Sequence, residues 1–401
     1  MQALSDFLAR LSPPITPALV VRREALGRNL ETMQRLCDAG QVALRAHGKM
    51  HKCSRIGRMQ VERGAVGLCC QTVGEAEAFA AAGIRDLLVT APVPPWGAPR
   101  LAGLAATGIR VAAVADDEAQ VDRLAAAAAS AGTVLNVLVD IDLGQHRAGV
   151  AAGETGPLAR RIVAHETLRL DGVQAYLGHL QHVPDIAARR QANAAATAWL
   201  AAIVDELRAD GLAPARVTGG GTGTYAYDIA GGVFTELQAG SYALMDTEYE
   251  DCRAPDGEPW PFEPALFIAA SVVSARHKTH ATVDAGLKAV AVDGPPARVI
   301  SGAPAGSRWR SMGDEHGAIA HPATLARMAQ ARDPLAHDRT IAEIDADPAT
   351  PWPDDLPKSG ALVWLQPGHC DPTINLYDAF YVADEDGKLE RWPIDARRVS
   401  P

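Results

Sequence analysis

Short runs of apolar and β-branched residues alternate with longer stretches rich in Ala, Arg and Glu between residues 40 and 246. This alternation is typical of strands and helices that follow one another in a parallel sheet. Eight runs predict strands, at residues 42–47, 65–71, 86–91, 110–115, 135–141, 170–176, 215–219 and 236–244. The clearest helix between them spans Asp185 to Asp210 and is closed by Gly211, a residue type that often ends helices in the left-handed conformation.

Eight parallel strands separated by helices are the number at which such a sheet closes into a barrel. We therefore predict an α/β fold, a (β/α)8 TIM barrel, with a doubly wound open sheet as the alternative. A barrel places its chemistry at the C-terminal ends of its strands. Polar side chains follow the predicted strands at those ends, namely Lys49, Gln71, Asp142, Arg147, Tyr176, His182, the loop 219–224, Tyr242 and Asp246.

The pattern changes after residue 260, where short β-rich runs are separated by Gly, Pro and Asp. This texture is typical of an antiparallel, mostly β domain. We predict a barrel domain over residues 26–260 and a β-rich domain made of residues 1–25 and 261–401. Residues 322–358 are polar and rich in Ala and Asp, which predicts a surface excursion without an assigned strand or helix.

Charge and composition exclude several classes of protein. The 401-residue chain carries 38 Lys and Arg against 48 Asp and Glu, a net charge of −10. An acidic surface repels phosphate backbones, which argues against nucleic-acid binding. Six scattered cysteines without a CxxC pair indicate a reducing compartment rather than a disulfide framework. Neither a secretory signal nor an apolar run of about 18 residues is found, so we expect a cytoplasmic protein without a membrane span.

The segment RAHGKMHK, residues 45–52, carries the first candidate chemistry. If the strand continued to Lys49, alternation would send Arg45, His47 and Lys49 to one face, which is the interior of a barrel. Buried cations are costly unless an anionic or covalent partner is bound. A cofactor with a phosphate and an aldehyde would meet both conditions, because Lys49 could form an imine and lose its charge. Basic residues on a solvated loop are the alternative.

The segment TGGGTGT, residues 218–224, follows the seventh predicted strand. Glycines let the backbone approach a ligand closely, and free amides with threonine hydroxyls form a nest suited to a phosphate monoester. The segment lacks the Lys of a Walker loop and the spacing of the dinucleotide fingerprint. Barrels often hold phosphates after this strand, which favours a phosphate site over a tight turn. The candidate residues are Thr218, Gly220, Gly221, Thr222 and Gly223.

The segment PGHCDPT, residues 367–373, carries the candidate metal ligands. In an extended segment His369 and Asp371 project to one side and Cys370 to the other. The first two could then share a metal ion while Cys370 packs inward. Two protein ligands leave room for water and for substrate oxygens, as a metal that grips a substrate hydroxyl requires. A polar turn before a strand is the alternative.

Two further polar residues keep more than one interpretation. Arg147 follows the fifth predicted strand and could contact a cofactor edge, a substrate carboxylate, or the nearby Asp140 and Asp142. His182, which comes after Tyr176, could act as a general base or simply start a helix.

Taken together and in this order, these segments resemble the D-threonine aldolase and D-serine dehydratase family of pyridoxal-phosphate enzymes, which have an alanine-racemase-type barrel. The matching segments run through most of the chain and are RAHGKMHK, GAVGLCCQ, QAYLG with QH, TGGGTGT, ELQAGSYALMD, VDAGLK, DEHG and PGHCDPT. Within the family, HGKMHK is most similar to the 3-hydroxy-D-aspartate aldolases.

The resemblance implies a cofactor site in the predicted barrel. Lys49 would be the Schiff-base lysine of pyridoxal phosphate, and the loop 219–224 with Tyr242 would hold the phosphate. The other residues of the implied cofactor site are His47, Arg147, Tyr176 and Thr218.

The resemblance also implies a divalent metal, such as Mn or Mg, beside the cofactor. His369 and Asp371 would be its ligands. In the mechanism that we expect from this site, either His182 or a metal-bound hydroxide would be the catalytic base. The His-x-Asp form is similar to the aldolases, whereas the dehydratases usually present His-x-Cys. This position favours carbon–carbon cleavage over water elimination.

We therefore predict a lyase that splits a D-3-hydroxy amino acid, either 3-hydroxy-D-aspartate or D-threonine, into glycine and glyoxylate or acetaldehyde. The alternative on the same fold is a dehydratase of D-3-hydroxyaspartate or D-serine that releases ammonia and a 2-oxo acid. A non-catalytic carrier of pyridoxal phosphate is a third hypothesis, but it would have no need for metal ligands. By analogy, we expect a homodimer that acts on a small molecule.

Overall fold

The structure is a computed structural model, and it describes residues 2–329 and 341–397. These residues form two compact units. The barrel unit contains the described residues of 28–243, 251–262 and 394–397. The β-rich unit contains those of 2–27, 244–250 and 263–393. No helix within the described ranges combines the length and the apolar character that a membrane crossing needs.

Three N-terminal elements precede the barrel strands, namely α1 (Gln2–Ala9), β1 (Ala18–Arg22) and α2 (Arg23–Ala39). Its strands are β2 (Ala43–His47), β3 (Gly67–Cys70), β4 (Asp86–Val89), β5 (Arg110–Ala115), β6 (Leu135–Asp140), β7 (Leu168–Ala175), β8 (Arg216–Gly219) and β9 (Glu236–Leu237). All neighbours are parallel, and β9 pairs with β2 to close the barrel. The predicted TIM barrel is confirmed, and the doubly wound open sheet is wrong.

One helix follows each barrel strand except the last. These helices are α3 (Ser54–Glu62), α4 (Val73–Ala81), α5 (Gly97–Ala106), α6 (Glu118–Ser130), α7 (Ala152–Val163), α8 (Ile186–Ala209) and α9 (Tyr225–Ala230). At the start of α8 the Asp185 side chain accepts a hydrogen bond from the N–H of Ala188, which satisfies one free donor of the first turn. Gly211, with φ +74°, follows its last turn. The predicted helix is confirmed.

Two strand ends differ from the prediction. The first barrel strand ends at His47, and residues 48–51 form a turn, so strict alternation does not extend to Lys49. The last strand has two residues instead of the predicted nine, because a 3-10 turn at Ser241–Ala243 replaces its second half. Gly240 permits this turn, since a Cβ there would lie only 3.2 Å from the Cβ of His47.

The barrel interior combines apolar and charged layers. Its apolar part includes Cys69, Leu88, Ala112, Val114 and Leu138. Six charged side chains form a connected network, and four of them stand on the first residue of their strand. The six are Arg45, Asp86, Arg110, Asp171, Arg216 and Glu236. Every cation in this network therefore has a carboxylate partner.

The β-rich unit is built on a nine-stranded sheet. Its later strands are β10 (Leu266–Ser274), β11 (His280–Val283), β12 (Arg298–Ser301), β13 (Arg308–Ser311), β14 (Gly317–Ala320), β15 (Leu362–Gln366), β16 (Ala379–Ala383) and β17 (Leu389–Pro393). Strand β1 lies between β10 and β16, antiparallel to the first and parallel to the second. All other pairs are antiparallel. Its core includes Phe7, Leu8, Val20, Phe267 and Trp364.

Three short helices complete this unit. They are α10 (Thr247–Asp251), α11 (Pro322–Met328) and α12 (Cys370–Ile374). Helix α11 lies in the segment 322–358, to which the sequence analysis assigned no helix or strand. Two local signals explain where it starts. Pro322 occupies its first position, and the His321 side chain accepts a hydrogen bond from the N–H of Ala323. Residues 341–346 are helical too. Residues 330–340 of that segment lie outside the described residues.

Candidate active site

Lys49 lies in the turn that follows β2 and is half-buried. Its backbone N–H donates to the Nδ1 atom of His47 over 3.4 Å. The turn is closed by the N–H of Lys52, which donates to the carbonyl of Gly48. The amine at position 49 is therefore carried by a short turn at the C-terminal end of a barrel strand, which is where barrels place catalytic groups.

His47 is a neutral imidazole in this arrangement. Its Nε2 lies 3.1 Å from the Oγ1 of Thr90, and that hydroxyl donates to the carbonyl of Cys70, so Nε2 carries the proton and Nδ1 accepts. Burial, and then the positive charge of Lys49, lower the pKa of His47 well below its ordinary range. The sequence treated His47 as a potential buried cation, and the structure corrects this.

Arg45 is buried as predicted, but its charge is balanced within the protein. Its Nε lies 2.8 Å from the Oε1 of Glu236, and its Nη1 lies 2.8 Å from the Oδ1 of Asp86. The expectation that an inward Arg45 needs an anionic ligand is therefore wrong, because one carboxylate comes from the neighbouring strand β9 and the other from β4.

A row of buried polar side chains crosses the barrel interior beside His47. The Gln174 amide donates to the carbonyl of Thr90 and to Asp140, both over 2.9 Å. The Gln238 amide donates to Gln174 and to the hydroxyl of Thr218. Thr218 in turn donates to Glu236 over 3.0 Å. The Thr218 hydroxyl, a candidate phosphate ligand, is thus engaged inside the barrel.

The glycine-rich segment after β8 turns sharply at Gly220, which has φ +69°. The hydroxyl of Thr222 accepts a hydrogen bond from the backbone N–H of Tyr242 over 3.0 Å, so this loop and the turn after β9 are joined. The N–H of Gly223 donates to the Gln181 side chain over 2.8 Å. A Cβ at position 223 would lie 1.9 Å from the Gln181 carbonyl oxygen, which requires glycine there.

A buried polar network supports this loop from the side of α8 and α9. Gln181 donates to the hydroxyl of Thr224, which donates to Asp228, and Asn193 donates to the other oxygen of Asp228. The N–H of Gly221 also donates to Asp228. Burial raises the pKa of Asp228 to about 6, although the hydrogen bonds from these donors favour the charged form and lower it. The sequence did not single out Gln181, Asn193 or Asp228 in this role.

Tyr242 contributes to the loop through its backbone. Its side chain is fully buried, and its hydroxyl oxygen accepts from the Gln60 amide over 3.1 Å. Gln60 in turn lies 3.1 Å from the Nε2 of His51, whose Nδ1 accepts from the N–H of Cys53. Burial raises the pKa of Tyr242, so the phenol stays neutral and keeps its own proton to donate.

The three remaining barrel candidates follow β6 and β7. The guanidinium of Arg147 lies 5.6 Å from the ring centre of Tyr176, within cation–π distance. Asp142 accepts from the N–H groups of Gly144, Gln145 and His146, which fixes the turn before Arg147. The imidazole of His182 is half-buried, and its backbone carbonyl accepts from the thiol of Cys252.

His369 and Asp371 lie in the β-rich unit. Cys370 begins helix α12, so the predicted extended segment is wrong: Asp371 falls in the first turn, where an acid is favoured, and Pro372 is tolerated there. Cys370 is buried as predicted. The Nδ1 of His369 lies 2.8 Å from the Oδ2 of Asp293. Burial alone lowers the pKa of His369, but the carboxylates of Asp371 and Asp293 raise it above its ordinary value.

The structure thus groups the candidates within each unit. The barrel unit brings Lys49, His47, the loop 219–224 and the Tyr242 backbone to the C-terminal ends of neighbouring strands. The β-rich unit contains His369 and Asp371, and Asp293 contacts His369 there. The sequence analysis did not identify Asp293 as a candidate. Asp293 is distant in sequence and lies in a loop before β12, so no local pattern could connect it to His369.

The fold and these residues define an enzyme of the alanine-racemase type. Residues 21–248 match the family described as alanine racemase, N-terminal domain. Residues 265–383 match the family described as putative serine dehydratase domain. The combination covers both units and confirms the alanine-racemase-type fold predicted from the sequence.

Relatives that match nearly the whole chain indicate which family within this class the chain belongs to. The chain is 39% identical to a 3-hydroxy-D-aspartate aldolase of Paracoccus denitrificans (strain Pd 1222), over 95% of this chain and 92% of that protein. It is 36% identical to a D-threonine aldolase of Arthrobacter sp, over 98% and 95%. The crystal structure of D-threonine aldolase from Filomicrobium marinum superposes with a TM-score of 0.82 at 34% identity, covering 96% of this chain and 95% of that one.

The chain belongs to the family of D-threonine aldolase and 3-hydroxy-D-aspartate aldolase. The predicted resemblance is therefore confirmed. This family consists of lyases, and membership implies pyridoxal phosphate as the cofactor.

Proposed function

We propose that this protein is a pyridoxal-phosphate- and divalent-metal-dependent aldolase that cleaves D-3-hydroxy amino acids. The substrate would be 3-hydroxy-D-aspartate or D-threonine, and the products glycine and glyoxylate or acetaldehyde. The observation that carries the proposal is the joint presence of the Lys49 turn in the barrel unit and the His369–Asp371 pair in the β-rich unit, in a chain that matches aldolases over nearly its whole length.

The barrel residues fit pyridoxal phosphate. Lys49 would hold the cofactor covalently, and neutral His47 beside it adds no competing positive charge. The loop Gly220–Gly223 with the backbone at Tyr242 would bind the phosphate. Glycine is required at position 220, where a Cβ would lie 2.6 Å from the Oδ2 of Asp228. A turn without Cβ atoms would let a phosphate approach the backbone closely. The further residues proposed for this site are His47, Arg147, Tyr176, Thr218 and Tyr242.

When bound, pyridoxal phosphate accepts the electrons of the carbon–carbon bond that breaks. The protein's own residues would orient the substrate and move its protons. Arg147, carried on a turn fixed by Asp142, would bind the substrate carboxylate. Tyr176 would hold the guanidinium of Arg147 in place through its ring. His182 would remove the proton of the 3-hydroxyl group, as a general base placed after β7.

The β-rich unit offers the donors of a weak divalent-metal site. A His nitrogen and an Asp oxygen are suitable ligands for Mn or a similar cation. His369 and Asp371 offer these two atoms from positions two residues apart in the sequence. Within the described residues no group of three or more His, Cys, Asp or Glu side chains is arranged to hold a metal ion. Water would therefore complete the shell, and a cation held there would supply Lewis-acid chemistry that lowers the pKa of a bound hydroxyl.

We further propose a cytoplasmic homodimer, on the analogy of other barrels of this class. Sedimentation equilibrium of the purified chain tests the oligomeric state, and a monomer under assay conditions would contradict it.

The experiment that tests the activity is an end-product assay on 3-hydroxy-D-aspartate and on D-threonine. We expect glycine with glyoxylate or acetaldehyde, a loss of activity with a chelator, and recovery on adding Mn²⁺. Ammonia with a 2-oxo acid would instead identify a dehydratase. Activity that survives exhaustive chelation would remove the role assigned to His369 and Asp371.

Lys49→Ala is the matched variant for the cofactor site. It should abolish the visible absorbance of the bound cofactor and lower activity at least about 1,000-fold, since the covalent attachment is lost. Lys358→Ala, at an exposed lysine of the β-rich unit, is the control. A colourless wild-type protein after reconstitution, or undiminished turnover by Lys49→Ala, would overturn the proposal.

A further inference from the structure

Asp246 is a fully buried carboxylate in the β-rich unit, outside the site residues considered so far. Its Oδ2 accepts the backbone N–H of Cys370 over 2.9 Å, and its Oδ1 accepts the backbone N–H of Tyr249 over 3.1 Å. Cys370 stands between His369 and Asp371 in the chain. The carboxylate therefore accepts the backbone N–H of the residue that lies between the two proposed metal ligands.

Further contacts attach the same loop to the same segment. The N–H groups of Thr247 and Glu248 donate to the carbonyls of Pro367 and Gly368, over 3.1 and 3.2 Å. The thiol of Cys370 donates to the carbonyl of Met245 over 3.3 Å. With the Asp246 bond, four hydrogen bonds join residues 245–248 to residues 367–370. The position of the ligand loop is thus set by this segment.

Backbone conformation points to the same constraint. Met245 has φ +56°, which residues other than Gly rarely adopt and which persists only where the surroundings enforce it. Gly368 is equally constrained, because a Cβ there would lie 1.7 Å from the carbonyl oxygen of Pro295. One residue with an unusual backbone conformation and one glycine required by close packing therefore flank the contact between Asp246 and the ligand loop.

Asp246 does not itself have the geometry of a ligand. Both of its oxygens accept backbone N–H groups, and the described residues hold no cluster of three or more potential ligands arranged around a cation. It would act through the backbone N–H of Cys370.

We propose that Asp246 is a positioning residue that holds His369 and Asp371 in the geometry that binds a divalent metal. The inference rests on the proposed function, since it presumes that these two residues are the ligands. A side chain that supports metal ligands in this way typically changes metal affinity by 10- to 100-fold when it is altered.

The test compares Mn²⁺ affinity in wild-type holoenzyme and in Asp246→Asn, by titration against a competing chelator. The amide can accept only one of the two N–H groups, so we expect a dissociation constant about 10- to 100-fold higher. Cofactor absorbance should be unchanged, and excess Mn²⁺ should restore activity. Asp284→Asn is the matched control, because Asp284 accepts the N–H of Ser271 in the same unit without touching the ligand loop.

A second pair of variants tests the same bond from its other side. Cys370→Pro removes the donated N–H at the first position of α12, where Pro is well tolerated, and His369 before it already has the extended conformation that precedes Pro. Cys370→Ala keeps the N–H. We expect the Pro variant to lose Mn²⁺ affinity as Asp246→Asn does, and the Ala variant to retain it within about threefold.

The outcomes separate the two proposals. If wild type binds Mn²⁺ and both Asp246→Asn and Cys370→Pro bind it equally well, the positioning role is overturned while the proposed function stands. Loss of activity that excess Mn²⁺ does not restore would also overturn it, because that result indicates a merely structural role. If wild type binds no divalent metal, the metal part of the proposed function fails, and the inference fails with it.

Discussion

Asp140 shows how a single buried side chain can make this protein sensitive to pH. It ends β6, is nearly inaccessible, and accepts one hydrogen bond from Gln174. Burial raises the pKa of Asp140 from 3.8 to about 7. The folded state therefore binds more protons than the unfolded state between these values. Linkage then requires that the stability contributed by this group is present below pH 3.8 and is lost as the pH rises towards 7.

Asp140→Asn should reduce this pH dependence. The full difference between 3.8 and about 7 corresponds to roughly 4 kcal/mol. The amide oxygen of the variant can still accept from Gln174, so folding should be retained. We expect the free energy of unfolding to fall less between pH 4 and pH 7 in the variant, as measured by urea denaturation. Asp228 and Asp246 have raised pKa values as well, so some slope remains. Identical slopes in both proteins would refute this account.

At this scale, the sequence predicted which residues end the strands better than how they are used. Lys49 was predicted from its position after a strand, and the structure places it there. Arg45 and His47 were taken for uncompensated charges, because the carboxylates of Asp86 and Glu236 and the hydroxyl of Thr90 come from segments that are far away in the sequence. Charge balance inside a barrel is a property of all its strands and cannot be read from one.

The loop after β8 depends on glycine for its path. A Cβ at Gly223 would meet the Gln181 carbonyl oxygen at 1.9 Å, and backbone cannot yield as a flexible side chain can. Gly223→Ala should therefore displace the loop and weaken pyridoxal-phosphate binding by the reconstituted apoenzyme. We expect about a tenfold or greater loss of affinity, measured by quenching of tryptophan fluorescence.

Gly153 provides the comparison for that prediction. It lies in α7, and a Cβ there would meet no atom within 4 Å. Gly153→Ala should raise stability by about 0.5–1 kcal/mol, because Ala restricts the unfolded chain and favours the helix. Cofactor affinity should not change. Weakened cofactor binding in both variants, or in neither, would contradict the specific role of the loop.

Element boundaries were predictable where local signals act. Asp185 and Gly211 delimit α8 because capping depends on residues within one turn. The second half of the last predicted strand was wrong, because its apolar residues are buried in and beside a 3-10 turn rather than in the sheet; they are Ala239, Tyr242, Ala243 and Leu244. A buried strand and a buried turn are both apolar, so the pattern of apolar residues alone does not distinguish them.

The charged network of the barrel should matter for the stability of the whole barrel unit. Glu236 is buried, lies 2.8 Å from Arg45, and also accepts from Thr218. Removing the Glu236 carboxylate leaves Arg45 with Asp86 and Arg216 with Asp171 as their remaining partners. The cost should therefore be at most about 3–5 kcal/mol, the cost of a buried ion pair that loses one partner. Glu236→Gln should therefore lower the denaturant midpoint by a corresponding amount.

Asp205→Asn is the control for the network. The pair Asp205–Arg208 lies on the surface of α8, where the two side chains are 72% and 60% exposed. Surface pairs of this kind contribute little, so its denaturant midpoint should match that of wild type. Equal effects of the two substitutions would show that burial does not govern the contribution of these charges.

The overall architecture was predictable in one unit more than in the other. A repeated strand–helix pattern has few compact solutions, which is why the barrel followed from counting. The β-rich unit has no such rule: its strand order β11-β14-β13-β12-β15-β10-β1-β16-β17 depends on pairings between distant segments. The place of β1 within it, between strands from the last third of the chain, has no local signature.

The placement of β1 has a consequence for biosynthesis. Val21 pairs with Leu266, and Leu19 pairs with Phe380, so this early strand cannot find its neighbours until almost all of the polypeptide has left the ribosome. The barrel sequence emerges in between and needs none of those partners for its own strands. A nascent chain would thus carry an unpaired apolar strand through most of translation, and such a strand edge favours aggregation until its partners have been made.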